Sequence, residues 1–391
     1  MKYKIHNTNI VTENEIKKDL AVYIENGKVV AVKKDEGEGE YISIDAKGMY
    51  TSPGFIDMHV HGGGDSDFLD CTVEDFLTPA KMHLNHGTTS IVPTTLSGKT
   101  DELLKMFDVY REAKKKNSDG AEFLGLHLEG PYFSTEQCGA QDPSFVRLPD
   151  EDEYKKILDS TDDIIRWSAA PELEGALKFG DYVSKRNILC SIGHSNATYE
   201  QVKEAFEHGF THITHLYSCM STVHRVNAYR HAGVLESAYL IDDMTVEIIA
   251  DGVHLPESLL KYVCKFKGTE KTALVTDAMR GAGMPDGLSI LGSRKNGQQV
   301  VIEDNVAKLM DKSAFAGSVA TCDRLVKNMI TLAGCSMCDA VKMMSLVPAK
   351  ILKVDNKKGK IVKGYDADII IFDENINIKY VFVNGKLIKG E

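Results

Sequence analysis

The sequence predicts an α/β protein, a (β/α)8 TIM barrel that carries a small β-sandwich domain formed by both ends of the chain. Short apolar runs alternate with amphipathic helical patterns eight times through the middle of the 391-residue chain. Such runs suit parallel strands that are buried on both faces. Both ends of the chain carry alternating apolar and polar residues around Asn-Gly pairs instead, which is typical of antiparallel hairpins.

The two ends of the chain share one design. Near the N-terminus two alternating runs are joined by Asn26-Gly27, and near the C-terminus the pattern repeats around Asn384-Gly385. Asn and Gly both tolerate a positive φ, which the tightest hairpin turns require. A further strand pattern covers residues 367–373. We therefore expect strands from both ends to pair with each other.

The middle of the chain contains eight strand candidates, at residues 54–60, 89–95, 123–130, 164–172, 188–195, 211–218, 245–254 and 272–278. Helical patterns lie between most of them, and two more follow at 318–334 and 337–352. Eight strand–helix units over roughly 300 residues favour a barrel. A doubly wound sheet is the alternative, but the glycines after the first strand lack the GxGxxG spacing of its phosphate loop. The predicted domains are the barrel at 53–354 and the β domain at 1–52 with 355–391.

Composition excludes several classes of function. The formal net charge is −11, which argues against nucleic acid or an anionic membrane as a partner. The chain has no apolar run of membrane-spanning length, and its first residues lack the apolar core of a signal peptide. The eight cysteines are scattered, as expected for free thiols in the cytoplasm. The lone CxxC of Cys335 and Cys338 is interpreted as structural, with redox or zinc roles as alternatives.

Histidines and carboxylates stand where the strand candidates end, and active sites of barrels lie at that end of the strands. His59 and His61 are one residue apart in a strand, so both side chains point to the same face. The later strand candidates end in Glu129, His194, His215, Asp251 with His254, and Asp277. Imidazole and carboxylate donors together suit zinc or another divalent metal. The sequence therefore predicts a metal site at this end of the barrel.

Three other polar residues within the strand candidates receive simpler interpretations. His127 lies two residues before Glu129, and we expect it to pack in the barrel interior. His212 precedes His215 by three residues, so it is expected to point to the other face. Asp57 alternates with His59 and could support a metal ligand from behind.

Seven blocks lie in order along most of the chain, namely "PGFIDMHVHG", "HLEGPYF", "GHSNAT", "THLYSCM", "ADGVH", "TDAM" and "FAGS". Together with the β-rich ends, they resemble the amidohydrolase superfamily and, within it, the N-acetylglucosamine-6-phosphate deacetylase family. The resemblance implies a barrel of the metal-dependent hydrolase type. It also implies hydrolysis of the acetamide of N-acetylglucosamine 6-phosphate to acetate and glucosamine 6-phosphate.

The resemblance also implies a role for each strand-end residue. The implied metal ligands are Glu129, His194 and His215 for a main ion, and His59 and His61 for a second ion. Glu129 would bridge the two ions, and Asp277 would act as general base and then as general acid. One or two divalent ions per subunit are implied. Zinc is the first choice, with iron, cobalt or manganese as alternatives.

The substrate residues that the resemblance implies are Ala140, Gln141, Ser218, Cys219, Arg230, Asp251, His254, Phe315, Ala316 and Gly317. Arg230 matches a phosphate-binding arginine that can be donated to the neighbouring subunit, which implies a homodimer. Three departures from the family fall on the substrate side. Gln141 replaces a histidine, Ser218 and Cys219 replace Asn-Ala, and the segment before Gly233 is longer than the family's usual spacing.

These departures leave the exact substrate open. One alternative is another N-acetylhexosamine 6-phosphate, such as N-acetylgalactosamine 6-phosphate. A second is a related amidohydrolase that acts on a cyclic amide or an N-acyl amino acid. A third is a non-catalytic sugar-phosphate sensor, although a complete ligand set together with Asp277 speaks against it.

Overall fold

The computed structural model describes residues 1–35, 37 and 39–390. Strands from both chain ends form one eight-stranded sheet, made of Lys2–Val11 (β1), Ile16–Glu25 (β2), Lys28–Lys33 (β3), Ile42–Asp45 (β4), Tyr50–Pro53 (β5), Ile369–Phe372 (β23), Ile378–Val383 (β24) and Lys386–Lys389 (β25). Their order is β25-β24-β23-β5-β1-β2-β3, with β4 beside β1. Antiparallel pairing of β5 with β23 joins the two ends, so the expected β-rich terminal region is present. The domain boundaries given above stay a prediction.

Both Asn-Gly pairs form the hairpin turns that the sequence predicts. Asn26 and Gly27 have φ values of 48° and 81°, and Asn384 and Gly385 have values of 48° and 73°. Two successive left-handed residues define the type I′ turn, whose twist matches that of the flanking strands. The turns connect β2 to β3 and β24 to β25, which pair antiparallel.

The central part of the chain forms a closed barrel of eight parallel strands. They are Phe55–Val60 (β6), Thr88–Pro93 (β9), Leu126–Glu129 (β11), Ile164–Ala169 (β12), Leu189–Ile192 (β13), Phe210–Ile213 (β14), Thr245–Ile248 (β17) and Thr272–Leu274 (β18). Glu122–Phe123 (β10) adds a short pairing beside β9. Parallel bridges between Thr94 and His127 and between Val60 and Ala278 close the ring. Each strand candidate of the sequence overlaps one barrel strand, and the predicted fold class is confirmed.

Helices surround the barrel and follow its last strand. They are Val73–Leu84 (α1), Thr100–Lys116 (α2), Glu151–Ser160 (α3), Ala176–Lys185 (α4), Tyr199–Glu207 (α5), Val234–Leu240 (α6), Glu257–Phe266 (α7), Cys322–Thr331 (α8), Met337–Met344 (α9) and Leu346–Ile351 (α10). The helical pattern at 337–352 is divided in two at Ser345. Pro348 has no N–H to donate to the carbonyl of Met344, which explains the interruption. Within the described residues, no helix combines the length and apolar character that a membrane crossing requires.

A four-stranded antiparallel sheet follows the last barrel strand, and the sequence pattern did not reveal it. Its strands are Gly287–Leu291 (β19), Gln298–Glu303 (β20), Val306–Leu309 (β21) and Phe315–Ser318 (β22). The backbone N–H of Ser318 donates to the carbonyl of Asp277 at 2.8 Å, and Met279 donates back to Ser318 at 2.9 Å. The sheet therefore holds Phe315 and Gly317 beside the end of β18.

Two small hairpins and two short 3-10 helices complete the described elements. The hairpins are Gly62–Gly63 (β7) with Ser66–Asp67 (β8), and His224–Val226 (β15) with Tyr229–His231 (β16), and the 3-10 helices are Phe68–Asp70 and Thr135–Gln137. The second hairpin projects into solvent, and Tyr229 at its tip is 76% exposed.

Candidate active site

The ends of the barrel strands bring six predicted side chains to one place. They are His59 in β6, Glu129 in β11, and His61, His194, His215 and Asp277, which follow β6, β13, β14 and β18. All six are buried. Their chemical roles stay predictions, but they share one position because parallel barrel strands end at the same rim.

Three of these residues have a left-handed backbone although none is glycine. The φ values are 49° for His194, 27° for His215 and 48° for Asp277. Such a conformation costs of the order of 1–3 kcal/mol per residue and is concentrated at functional sites. Hydrogen bonds hold the chain there, since the backbone N–H of Asp277 donates to the carbonyl of His59 at 2.9 Å. The backbone N–H of His215 likewise donates to Glu247 at 3.1 Å.

Glu129 lies between two pairs of histidines. Its Oε1 atom is 3.1 Å from Nε2 of His215 and 3.4 Å from Nε2 of His194. The same oxygen is 3.4 Å from Nε2 of His59, and Oε2 is 3.4 Å from Nε2 of His61. Within each of the two groups, one donor atom per residue lies within 4.8 Å of the others. One carboxylate thus belongs to two three-residue groups, an arrangement that suits two neighbouring cations.

The donor set fits divalent metal on chemical grounds. The Nε2 atoms of His59 and His61 are 3.3 Å apart, and those of His194 and His215 are 3.2 Å apart. Behind them, Nδ1 of His59 contacts Glu247 at 2.7 Å, and Nδ1 of His194 contacts the carbonyl of Gln137 at 2.9 Å. An imidazole that donates through Nδ1 keeps its Nε2 lone pair free for a metal.

Protonated histidines lie against ionised carboxylates in this site. Burial lowers the pKa of His59, but the charges of Asp277 and Glu129 outweigh it and raise the pKa to about 9. Burial also lowers the pKa of His61, yet hydrogen bonds with Asp277 and Glu129 raise it to about 10. Burial raises the pKa of Glu129, but the charge of His59 and hydrogen bonds from His194 hold it well below its usual range. A cation that enters the site must therefore displace imidazole protons.

Asp277 faces the same cluster from β18. Its Oδ1 atom lies 3.1 Å from Nε2 of His61 and 3.5 Å from Nε2 of His59. Burial raises the pKa of this carboxyl, but the charge of His59 and the hydrogen bond from His61 lower it below its ordinary value. An ionised carboxylate at this position can accept a proton.

Asp57 supports the site differently from the expectation. Its carboxylate accepts hydrogen bonds from the hydroxyl of Thr276 at 2.5 Å and from the backbone N–H of Thr276 at 3.2 Å. It also accepts the backbone N–H of His59 at 3.3 Å. Asp57 therefore ties the end of β6 to the end of β18 and contacts no imidazole of the metal set through these bonds.

Glu247 and Arg166 form a fully buried ion pair beneath the site, and the sequence interpretation missed both. Oε2 of Glu247 is 2.5 Å from Nη1 of Arg166. Burial raises the pKa of Glu247, but the charges of Arg166 and His59 hold it well below its usual range. The signal was available, because each residue is a charged side chain in the mostly apolar first half of its strand candidate.

The other two barrel histidines lie in the layer beneath the cluster. His127 is fully buried, with Nε2 2.7 Å from the hydroxyl of Ser168, which agrees with the packing role expected for it. His212 was expected on the other face, but its Nε2 atom lies 3.2 Å from Oε2 of Glu247 inside the barrel. The left-handed turn at His215 breaks the strand alternation on which that expectation rested.

A pocket of about 260 Å³ opens above the cluster. Seven of the ten predicted substrate residues line it, namely Ala140, Gln141, Ser218, Cys219, His254, Phe315 and Gly317. Asp251 lies behind His254 and accepts a hydrogen bond from its Nδ1 atom at 2.8 Å. Ala316 is fully buried and is not part of the lining. Leu96, Tyr217, Leu291 and Ala314 also line the pocket and were not predicted.

Gln141 contacts the centre of the site directly. Its Nε2 atom donates to Oε2 of Glu129 at 2.9 Å, and its Oε1 atom accepts the backbone N–H of Ser97 at 2.8 Å. The amide thus connects the loop after β9 to the shared carboxylate. The structure gives Gln141 a partner within the metal set, where the sequence suggested only a substrate contact.

Arg230 does not line the pocket of its own chain. It lies exposed on β16, opposite Arg225 in the register of the hairpin. Among the described residues, neither guanidinium has a hydrogen bond or an ion pair with another side chain.

Comparisons with known proteins identify the family and the fold of the chain. The model of the amidohydrolase family matches residues 50–388. An N-acetylglucosamine-6-phosphate deacetylase of Lysinibacillus sphaericus is 33% identical over 98% of this chain and 97% of that protein. An N-acetylgalactosamine-6-phosphate deacetylase of Escherichia coli O157:H7 is 32% identical over 86% of each chain. The structure of a mutant N-acetyl-D-glucosamine-6-phosphate deacetylase from Mycobacterium smegmatis, in complex with N-acetyl-D-glucosamine-6-phosphate, has a TM-score of 0.90 at 26% identity and covers 99% of both chains.

Proposed function

The chain belongs to the amidohydrolase family, and from this premise we propose that it hydrolyses N-acetylglucosamine 6-phosphate to acetate and glucosamine 6-phosphate. The observation that carries the proposal is the position of Glu129 between two histidine pairs, with Asp277 beside them at the base of a pocket. Relatives named for this activity match the chain over nearly its whole length.

The two groups that share Glu129 would hold one or two divalent ions, and nitrogen and oxygen donors of this kind suit zinc. Iron, cobalt and manganese are alternatives, because imidazole and carboxylate also accept them. A divalent ion bound there lowers the pKa of water toward about 7 and polarises a carbonyl group.

Asp277 would move the proton. Its Oδ1 atom faces the cluster, where it can accept a proton from the attacking water. The protonated carboxyl then donates that proton to the amide nitrogen as the C–N bond breaks, so the amine leaves neutral. The buried position of Asp277 keeps its carboxylate near the reacting atoms and restricts bulk water.

The remaining pocket residues would orient the sugar phosphate. Asp251 holds His254 through Nδ1, and the ring of Phe315 lies 4.7 Å from that of His254 at the pocket wall. Arg230 would bind the phosphate of a substrate in the neighbouring subunit of a homodimer. Its unpaired guanidinium on a projecting hairpin supports this proposal, as does the exposed Tyr229 beside it.

N-acetylgalactosamine 6-phosphate is the second candidate substrate. A relative of similar identity is named for deacetylation of that sugar. Gln141, Ser218 and Cys219 all line the pocket. The departures from the family therefore lie where side chains would contact the sugar hydroxyl groups.

We also propose a cytoplasmic location, which rests on the thiols. All eight cysteines are free. The Sγ atoms of Cys264 and Cys335 lie 3.2 Å apart without a bond, and Cys338 is buried in α9. Neighbouring unbonded thiols are expected in a reducing compartment.

Acetate release tests the proposal. The purified chain, stripped with a chelator, is assayed on the 6-phosphates of N-acetylglucosamine, N-acetylgalactosamine and N-acetylmannosamine before and after addition of zinc, iron, cobalt or manganese. We expect no release without metal and recovery with at least one ion, with one phosphorylated sugar preferred. Full activity of metal-free protein, or no release from any of the three sugars, would contradict the proposal. In the second case, cyclic amides, N-acyl amino acids and simple binding of sugar phosphate are the next assays.

A further inference from the structure

Glu247 is a buried carboxylate that lies below the pocket and contacts both histidine pairs. Its Oε1 atom accepts Nδ1–H of His59 at 2.7 Å and the backbone N–H of His215 at 3.1 Å. His59 belongs to one three-residue group and His215 to the other. One side chain that is no ligand itself therefore connects the two halves of the metal set.

The contact with His59 fixes the chemistry of that ring. When the ring is neutral and Nδ1–H donates to Glu247, the Nε2 atom carries the lone pair and faces Glu129 at 3.4 Å. Without an acceptor behind it, the ring can take the other tautomer, in which Nε2 carries the hydrogen and cannot bind a cation. Support of this kind typically changes metal affinity by about 10–100-fold.

The two groups differ in how their rings are supported from behind. In the group of His194 and His215, the ring of His194 is held by the carbonyl of Gln137 at 2.9 Å. In the group of His59 and His61, the ring of His59 is held by Glu247 at 2.7 Å. The second ring of each group, that of His61 or His215, has no hydrogen-bond partner at Nδ1 among the described residues. The support of this second group therefore rests on Glu247, whereas the first group has one of its own.

The negative charge of Glu247 also contributes to cation binding, because it neutralises the buried guanidinium of Arg166. The guanidinium is fully buried, and besides Glu247 it contacts the carbonyl of Met58 at 3.1 Å and the hydroxyl of Thr214 at 3.0 Å. Without the carboxylate, this cation would remain unopposed directly below a site for further cations. Repulsion between charges is strong in a buried environment, because little water screens it.

We propose that Glu247 is a positioning residue that decides whether the second ion, at His59, His61 and Glu129, binds. The inference rests on the proposed metal-dependent function, but it concerns metal binding alone and is tested without substrate. Loss of Glu247 weakens binding of the second ion by at least about tenfold. The ion at His194 and His215 keeps nearly its original affinity.

The first test compares the unmodified chain with Glu247→Gln. Both are stripped of metal and titrated with Co²⁺, the visible absorption of the bound ion is followed, and bound metal per chain is measured after dialysis against buffered zinc. We expect two binding steps in the unmodified chain, and in Glu247→Gln an unchanged first step with a second step shifted to at least about tenfold higher metal.

Asp251→Asn is the matched control. It makes the same change from carboxylate to amide behind an imidazole, that of His254, which is no member of either metal group. We expect this variant to keep both binding steps. A loss of the second ion in Asp251→Asn equal to that in Glu247→Gln would overturn the inference, because the effect would then not belong to His59.

A second variant covers the case in which Glu247→Gln does not fold around an unpaired Arg166. The double change Arg166→Met with Glu247→Met replaces the buried ion pair by apolar side chains of similar length, which often preserves stability. Glu247→Gln loses the charge but keeps an amide oxygen that can accept from His59, whereas the double variant has no acceptor at all. We therefore expect the double variant to show a selective loss of the second ion at least as large. Retention of both ions at original affinity in either variant would overturn the inference. A single ion in the unmodified chain at saturating metal would also overturn it, while acetate release would still support the proposed function.

Discussion

The Nε2 atom of His61 lies 3.1 Å from Oδ1 of Asp277 and 3.4 Å from Oε2 of Glu129. One imidazole therefore touches both the shared carboxylate and the carboxylate that faces it across the cluster. Both carboxylates contact the same imidazole, but their substitution is expected to have different effects. Loss of Glu129 should remove bound metal, and loss of Asp277 should remove proton transfer.

Asp277→Asn should abolish turnover while metal remains bound. The amide cannot accept a proton from water, and removal of a positioned base typically costs about 10²–10⁴-fold in rate. Acetate release and metal content are measured on the same preparation. Glu129→Gln is the comparison, and it should lose metal together with activity because both groups share Glu129. A loss of less than about tenfold in Asp277→Asn would place the base elsewhere.

Gln141→Ala should reduce activity through Glu129. The substitution removes the N–H donor 2.9 Å from Oε2 of that carboxylate, and a hydrogen bond to a charged group is worth roughly 1.5–3 kcal/mol. The expected loss in kcat/KM is thus about 10–150-fold. Gln137→Ala is the control, because its side chain contacts only Asn196 at the surface among the described residues, and its carbonyl still supports His194. Activity of Gln141→Ala within about threefold of the original would show that the contact with Glu129 is dispensable.

Substitution of Gln141, Ser218 or Cys219 should also shift the preference among substrates. The three side chains line the pocket in which the sugar is expected to lie. The ratio of kcat/KM values for the glucosamine, galactosamine and mannosamine epimers is the measurement. Unchanged ratios in all three variants would mean that the epimers are distinguished by other lining residues.

Arg230→Ala should weaken turnover of phosphorylated sugars selectively. A guanidinium grips phosphate with two parallel hydrogen bonds, and loss of one charge-assisted bond costs roughly 1.5–3 kcal/mol, or about 10–150-fold in kcat/KM. The weak activity on the unphosphorylated sugar should stay nearly the same. Arg225→Ala is the matched control, because Arg225 faces Arg230 in the hairpin register.

Mixing variants tests whether Arg230 acts across an interface. In a heterodimer of Arg230→Ala with Asp277→Asn, one site has an intact Asp277 and receives Arg230 from the partner, so activity should reappear. No recovery in a mixed dimer would confine Arg230 to its own chain. If Arg230→Ala harms both substrates equally, the arginine is structural and Arg225 becomes the next candidate.

His83 should make the metal-free protein less stable in mild acid. Burial lowers the pKa of this residue from 6.5 to about 4, while Nε2 donates to the carbonyl of Gly62 at 2.9 Å. The unfolded chain therefore binds the proton first as pH falls below 6.5. The stabilising contribution is complete above that pH and is lost as pH falls toward 4, by about 3 kcal/mol in total.

His83→Gln should lack this dependence, because an amide does not titrate. Urea unfolding of the metal-free chain and of the variant at several pH values between 7 and about 4 gives the comparison. The difference in unfolding free energy between the two proteins should shrink as pH falls. A difference that stays constant over this range would show that His83 titrates normally in the fold.

Local patterns were sufficient for much of the fold. Strand alternation put His59 and His61 on one face, and the rule that barrel sites lie at strand ends selected Glu129, His194 and Asp277. The Asn-Gly hairpins were equally local, since the turn geometry depends on those two residues. The same local reasoning did not detect the four-stranded antiparallel sheet that follows the barrel. The strands between Gly287 and Ser318 are short and partly exposed, so their apolar pattern is weak.

By itself, the sequence determined the barrel, the paired chain ends and the set of side chains at the strand ends, because each depends on the periodicity or position of residues near one another in the chain. Only the tertiary structure decided which groups support them. Glu247 reaches His59 and Gln141 reaches Glu129 because the barrel closes and brings different strands within hydrogen-bond distance. Arg166 becomes the partner of Glu247 for the same reason. Such contacts join residues far apart in the chain, and no local pattern encodes the distance between them.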